Sequence, residues 1–71
     1  MDLYQVGAFF RERRIFLQIR QEDLSEMSGV NSRTIQQIEL GKGNPSFATL
    51  EKLATILGLE LVVQVKQPEH G

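Results

Sequence analysis

The side chains best placed to do chemistry lie between Val30 and Gly41. Ser32, Arg33, Gln36 and Gln37 all hydrogen-bond and none is acidic, and Arg33 and Gln37 stand four apart, on one side of any helix they join. Ile35 and Ile38, with Leu40 near the end, form a thin apolar stripe on the other side. Arginine and glutamine make two-point hydrogen bonds to guanine and adenine edges in the DNA major groove. Asn31 is a suitable N-cap, and Gly41 a suitable residue to close the helix in a left-handed conformation. A short capped helix with so narrow a stripe is poorly stable alone but well suited to being held by a scaffold and set into a groove. Taken by themselves, the same residues also fit an ordinary solvated helix face, so the decision falls to the segments around them.

Before the stretch, Leu3 to Leu17 reads as a first helix, with Leu3, Val6, Phe10 and Leu17 at helical spacing and Arg14 on the same side. An arginine on an inward stripe needs a partner, because burying it unpaired costs several kcal/mol. Glu39 is the only acid in the third helix and is the candidate. Phe9 and Phe16, seven apart, define a second apolar strip that is either the edge of the core or a protein-contact surface. Gln21 to Ser28 reads as a second short helix with Leu24 and Met27 inward, and Glu22 and Asp23 suit the positive end of its dipole. Gly29 breaks it and Val30 returns the chain to the core. Short helix, glycine turn and short helix, clamped by Leu24, Val30, Ile35 and Ile38, make a helix-turn-helix layout.

After the stretch, Lys42 to Pro45 is loop and Ser46 caps a fourth helix striped by Phe47, Leu50, Leu53, Ala54 and Leu57 and stopped by Gly58. Leu59, Leu61, Val63 and Val65 then alternate with Glu60, Val62, Gln64 and Lys66, a period-two strand pattern. A lone strand has no partner in its own chain and is expected to pair with a second copy, making Leu59, Leu61, Val62, Val63 and Val65 a dimer interface. The expected division is a DNA-binding unit over 1–58, a dimerisation strand over 59–66 and a flexible tail over 67–71.

The bulk numbers exclude most other classes. Seventy-one residues make one small domain, and with no cysteine there is neither a disulfide framework nor a thiolate metal site. The single histidine, His70, falls in the tail, and no Gly-rich phosphate loop is present, so the reading is of no enzyme, no metal and no cofactor. No apolar run approaches the roughly 20 residues that span a bilayer, and no signal peptide is visible, so no membrane partner and a cytoplasmic location are expected. A net charge of −1 speaks mildly against nonspecific nucleic-acid binding, although the charges are unevenly spread, with Arg11, Arg13, Arg14 and Arg20 early in the chain.

With Val6-Gly7, Phe10-Arg11-x-x-Arg14, Gln21-Glu22-Asp23-Leu24-Ser25, Gly29-Val30, Ile35-x-x-Ile38-Glu39-x-Gly41 and Asn44-Pro45-Ser46, the chain resembles the Xre/Cro-type helix-turn-helix repressors. The resemblance runs from about Val6 to Leu59 and implies an all-α, lambda-repressor-like bundle of four to five helices. With the added strand the chain is similar to HipB-like antitoxins, which pair through that strand, repress their own operon and bind a kinase-like toxin. By position, Gln21 corresponds to a residue that opens the second helix and holds a DNA phosphate. Ser32, Arg33, Gln36 and Gln37 correspond to base-reading positions, Lys42 and Asn44 to a loop along the backbone, and Arg14 with Glu39 to a structural ion pair. Two departures stand out. Gln18 replaces a frequent glycine, which places a non-glycine in a left-handed conformation, and Arg20 replaces the usual serine or threonine cap, which puts a cation near the phosphate path.

The function so implied is a sequence-specific transcriptional repressor, a homodimer on a palindromic operator in double-stranded DNA, with a HipA/HipB-like antitoxin role and a kinase-like toxin partner. The alternative is a protein-interaction module built on Phe9, Phe16 and the strand, with weak or no DNA binding.

Overall fold

The computed structural model describes residues 1–67. Helices occupy Leu3–Phe16 (α1), Gln21–Ser28 (α2), Ser32–Glu39 (α3) and Phe47–Leu57 (α4). Each boundary has a local cause. Asp2 caps α1, accepting from the Gln5 N–H at 2.8 Å while Gln5 Oε1 accepts from the Asp2 N–H at 3.0 Å. Asn31 accepts from the Arg33 N–H at 2.7 Å, and Ser46 from the Thr49 N–H at 3.1 Å. At the other end of α3, Gly41 turns left-handed at φ 73° and the Lys42 N–H reaches back to the Gln37 carbonyl at 2.8 Å. This is the two-bond closure that satisfies the last carbonyls of a helix.

α1 ends by the same closure without a glycine. Gln18 stands at φ 59°, with the Ile19 N–H bonded to the Arg14 carbonyl at 3.1 Å. Two further hydrogen bonds hold this turn, so a side chain occupies a conformation that costs it roughly 1–2 kcal/mol: the Gln18 N–H to the Ile15 carbonyl at 2.9 Å and Arg14 Nη1 to the Ile19 carbonyl at 2.9 Å.

The core lies among all four helices. Phe10, Leu24, Val30, Ile35, Ile38, Leu53, Ala54 and Leu57 are buried, with Val6, Ile19, Leu50 and Ile56 packed around them. α1 packs on α3 and α4, and α2 on the same two helices. The α1–α3 approach is set by Gly7. A Cβ built there would lie 1.9 Å from the Ile38 carbonyl oxygen, so the two backbones meet where any other side chain would stand.

Several expectations need correction. No strand forms over 59–66 among the described residues; the segment leaves Gly58 without regular structure. Strand geometry is held by inter-strand hydrogen bonds, and one chain supplies only one such segment. The alternation is followed only in part. Leu59 and Leu61 pack on the core, whereas Val63 and Val65, meant for the same face, are each 89% exposed, and Val62 is also exposed. Met27 is half exposed because it trails Leu24 by three residues, roughly 60° around the helix and at the rim of the buried face. Phe47 opens α4 and is half exposed, the stripe being covered only from Leu50 onward, and Leu17 is the surface C-cap of α1. His70 lies outside the described residues, as does the tail from 68.

Candidate nucleic-acid interface

α3 is fixed from within and open without. Ile35 and Ile38 are each 1% exposed, while Arg33, Gln36 and Gln37 on the opposite side are exposed and Ser32 is half-buried at the first turn. The sequence forces this division. The helix is eight residues long, its two isoleucines are clamped by Leu24 and Val30 of the preceding unit, and the polar positions are left facing outward. The closure at Gly41 then carries Lys42 and Asn44, both exposed, alongside the helix. Thr34, Gln37, Lys42, Gly43, Asn44 and Pro45 line a shallow concavity of about 260 Å³ there. Two residue types that read bases therefore adjoin a lysine and an amide able to meet a phosphate.

Behind this face stands a buried network. Arg14 Nε donates to Glu39 Oε2 at 2.6 Å and Nη2 to Glu39 Oε1 at 2.9 Å, with the two side chains 13% and 5% exposed. Gln21 Nε2 adds a third donor to Glu39 Oε1 at 3.0 Å. The hydrogen bond to Glu39, with the carboxylate charge, raises the Arg14 pKa above its ordinary value, against the opposing effect of burial. The last residue of α3 is thus tied to α1 and to the first residue of α2, which orients the polar face of α3. Gln21 is half-buried and engaged inside the protein.

Arg20, just before α2, is solvent-facing and paired with Asp23, at 3.1 Å from Nε to Oδ2 and 3.3 Å from Nη2 to Oδ1. The Arg20 backbone N–H also donates to Asp23 at 3.2 Å, the return bond of a capping box, while the arginine side chain offers no acceptor to the first N–H groups of α2.

Sequence reasoning missed one contributor. Arg13 Nε donates to the Leu57 carbonyl at 2.8 Å, capping the end of α4 from α1, and its guanidinium lies over the Phe16 ring at 5.3 Å. Only its place in the last turn of α1 hinted at a structural task. Phe9 and Phe16 are 55% and 73% exposed, which removes the core-edge reading for both. With Glu12 and Arg13 they line an open hollow of about 330 Å³.

Four short helices with a central helix-turn-helix and an open polar third helix define a lambda-repressor-like DNA-binding domain. The helix-turn-helix family profile matches residues 10–64. Among solved structures, the chain is similar to the restriction-modification controller protein C.AhdI from Aeromonas hydrophila, at 34% identity and a TM-score of 0.77, over 82% of this chain and 88% of that one. A comparison with curated proteins finds no match. The chain belongs to the Xre-like helix-turn-helix family, and it is a DNA-binding transcription regulator rather than an enzyme. No helix of the described residues is long and apolar enough to cross a membrane.

Proposed function

We propose that the chain is a sequence-specific transcriptional repressor that binds a palindromic operator as a homodimer. One observation carries this reading: the helix whose isoleucines are locked into the core presents Arg33, Gln36 and Gln37 outward, beside Lys42 and Asn44. In it, Arg33 and Gln37 read base edges, Ser32 and Gln36 flank them, and Arg20, Gln21, Lys42 and Asn44 meet the backbone.

Residues 1–58 are the DNA-binding unit, and the segment from 59 to 66 brings two copies together through its exposed valines, Val62, Val63 and Val65. Leu59 and Leu61 anchor that segment to its own bundle. Two recognition helices held about one turn of DNA apart, roughly 34 Å, match half-sites at that spacing. The likeness to a restriction-modification controller protein supports a regulatory role. A HipA/HipB-like antitoxin is a second reading, favoured by the exposed Phe9 and Phe16, which offer a kinase-like toxin an aromatic surface of the kind enriched at interface hot spots.

Selection of bound duplexes from a random pool tests the proposal. An enriched inverted repeat with half-site centres about 10 bp apart is expected. A pool that stays random after several rounds, or a single unrepeated site, overturns the operator-binding homodimer.

A further inference from the structure

The cations of this chain are unequally available. Arg14 is committed to Glu39, Arg13 to the Leu57 carbonyl and Arg20 to Asp23, whereas Arg33 and Lys42 are exposed and in no ion pair among the described residues. Of the committed three, Arg20 alone is on the surface, its side chain 73% exposed. The next residue, Gln21, is hydrogen-bonded to Glu39 at the end of α3, so Arg20 precedes the point at which α2 is tied to that helix.

We propose that Asp23 is an intramolecular brake on DNA binding, holding the Arg20 guanidinium in a fork that a DNA phosphate must displace. The proposal rests on the DNA-binding reading above. The chemistry is substitution of like for like. A guanidinium edge fits two carboxylate oxygens or two phosphate oxygens, so the Nε/Nη2 edge held by Asp23 is withheld from a phosphate, and the carboxylate beside it offsets the charge that a phosphate would meet at Nη1. Asp23 binds it through two guanidinium nitrogens and a backbone N–H. The side-chain hydrogen bond from Arg20, then its backbone N–H, hold the Asp23 carboxyl below its ordinary value, so it is ionised at neutral pH. An exposed pair of this type is only weakly held, so a phosphate competes with it rather than being shut out. On the DNA-binding reading Arg20 and Lys42 are the two cations set against the backbone, and the pair with Asp23 holds one of them. The brake acts on the sequence-independent part of affinity and leaves base reading by α3 untouched, which raises the share of binding that depends on sequence.

The test uses the full chain and a fluorescent mixed-sequence 24-bp duplex, titrated over a salt series. Asp23→Asn keeps size and a capping oxygen while removing the charge; Asp23→Ser is a second variant, and thermal melts check that both fold. Tighter binding by about 3–10-fold at 0.1 M salt is expected, with a log–log salt slope steeper by up to about 0.9, the limit set by an Asp23 that keeps Arg20 off the phosphate altogether in the wild type. In an Arg20→Ala background the same change should lose most of that gain. Equal tightening with and without Arg20 overturns the brake, because Asp23 would then act only by its own repulsion. Unchanged affinity and slope in Asp23→Asn also overturn it, while wild-type binding that strengthens as salt falls keeps the DNA-binding reading intact. Absence of any such wild-type binding sinks both.

Discussion

Arg14 on α1 and Glu39 at the end of α3 meet through two hydrogen bonds, Nε to Oε2 at 2.6 Å and Nη2 to Oε1 at 2.9 Å, in a partly buried site. Two further hydrogen bonds complete the site: the Ile19 carbonyl takes Nη1, and Gln21 adds a donor to the carboxylate. Removing one partner leaves the other charge without compensation. Arg14→Ala and Glu39→Ala should each cost about 3–5 kcal/mol, and the double variant should cost less than the sum. Chemical and thermal denaturation of the three proteins measures this. Small, additive losses would mean the pair contributes little beyond its geometry.

Base reading is assigned to Arg33 and Gln37, which share one exposed face four residues apart. Each alanine variant is expected to lose about 1–3 kcal/mol on the selected operator and to relax preference at one base pair. Lys42→Ala should weaken binding to all sequences alike and flatten the salt slope by about one unit. A binding array across single-base operator variants separates the two kinds of contact, and a flat preference profile for wild type would remove the assignment.

Gly7 and Gln18 predict opposite changes in stability. At Gly7 an added methyl meets the Ile38 carbonyl oxygen at 1.9 Å, so α1 and α3 must move apart. Gly7→Ala should lower stability by about 1–3 kcal/mol, the usual cost of overpacking, or more if the backbones cannot yield. Gln18→Gly relieves a left-handed side chain and should raise stability by about 1 kcal/mol, after the added freedom of the unfolded glycine is allowed for. Melting temperatures of the pair should therefore move in opposite directions.

The proposed homodimer forms through the exposed valines after Gly58. Val63→Glu changes a residue that is 89% exposed within one chain, so the fold of the bundle should be unaffected. Sedimentation should nonetheless show a shift toward monomer, and affinity for a two-half-site operator should fall far more than affinity for one half-site. A variant that stays dimeric would place the interface elsewhere.

Much of the architecture was legible in the residues because it is locally determined. Asn31, Ser46, Gly41 and Gly58 fix helix ends through hydrogen bonds that span only a few positions, and the Ile35–Ile38 stripe fixes which side of α3 is turned inward. Arg14 and Glu39 were legible for a related reason: a charge on an inward stripe demands an opposite charge, and α3 offers one. Tertiary structure decided what depends on how closely elements approach. That Gly7 is the contact point of two backbones, that Gln21 turns inward to Glu39, and that Arg13 caps α4 all require distances between segments far apart in the chain. The segment after Gly58 shows the limit most clearly. Its alternation specifies two faces, but a strand needs a ladder of hydrogen bonds from another strand. The described residues of one chain offer none, and only Leu59 and Leu61 keep the side the pattern assigned them, held there by the bundle.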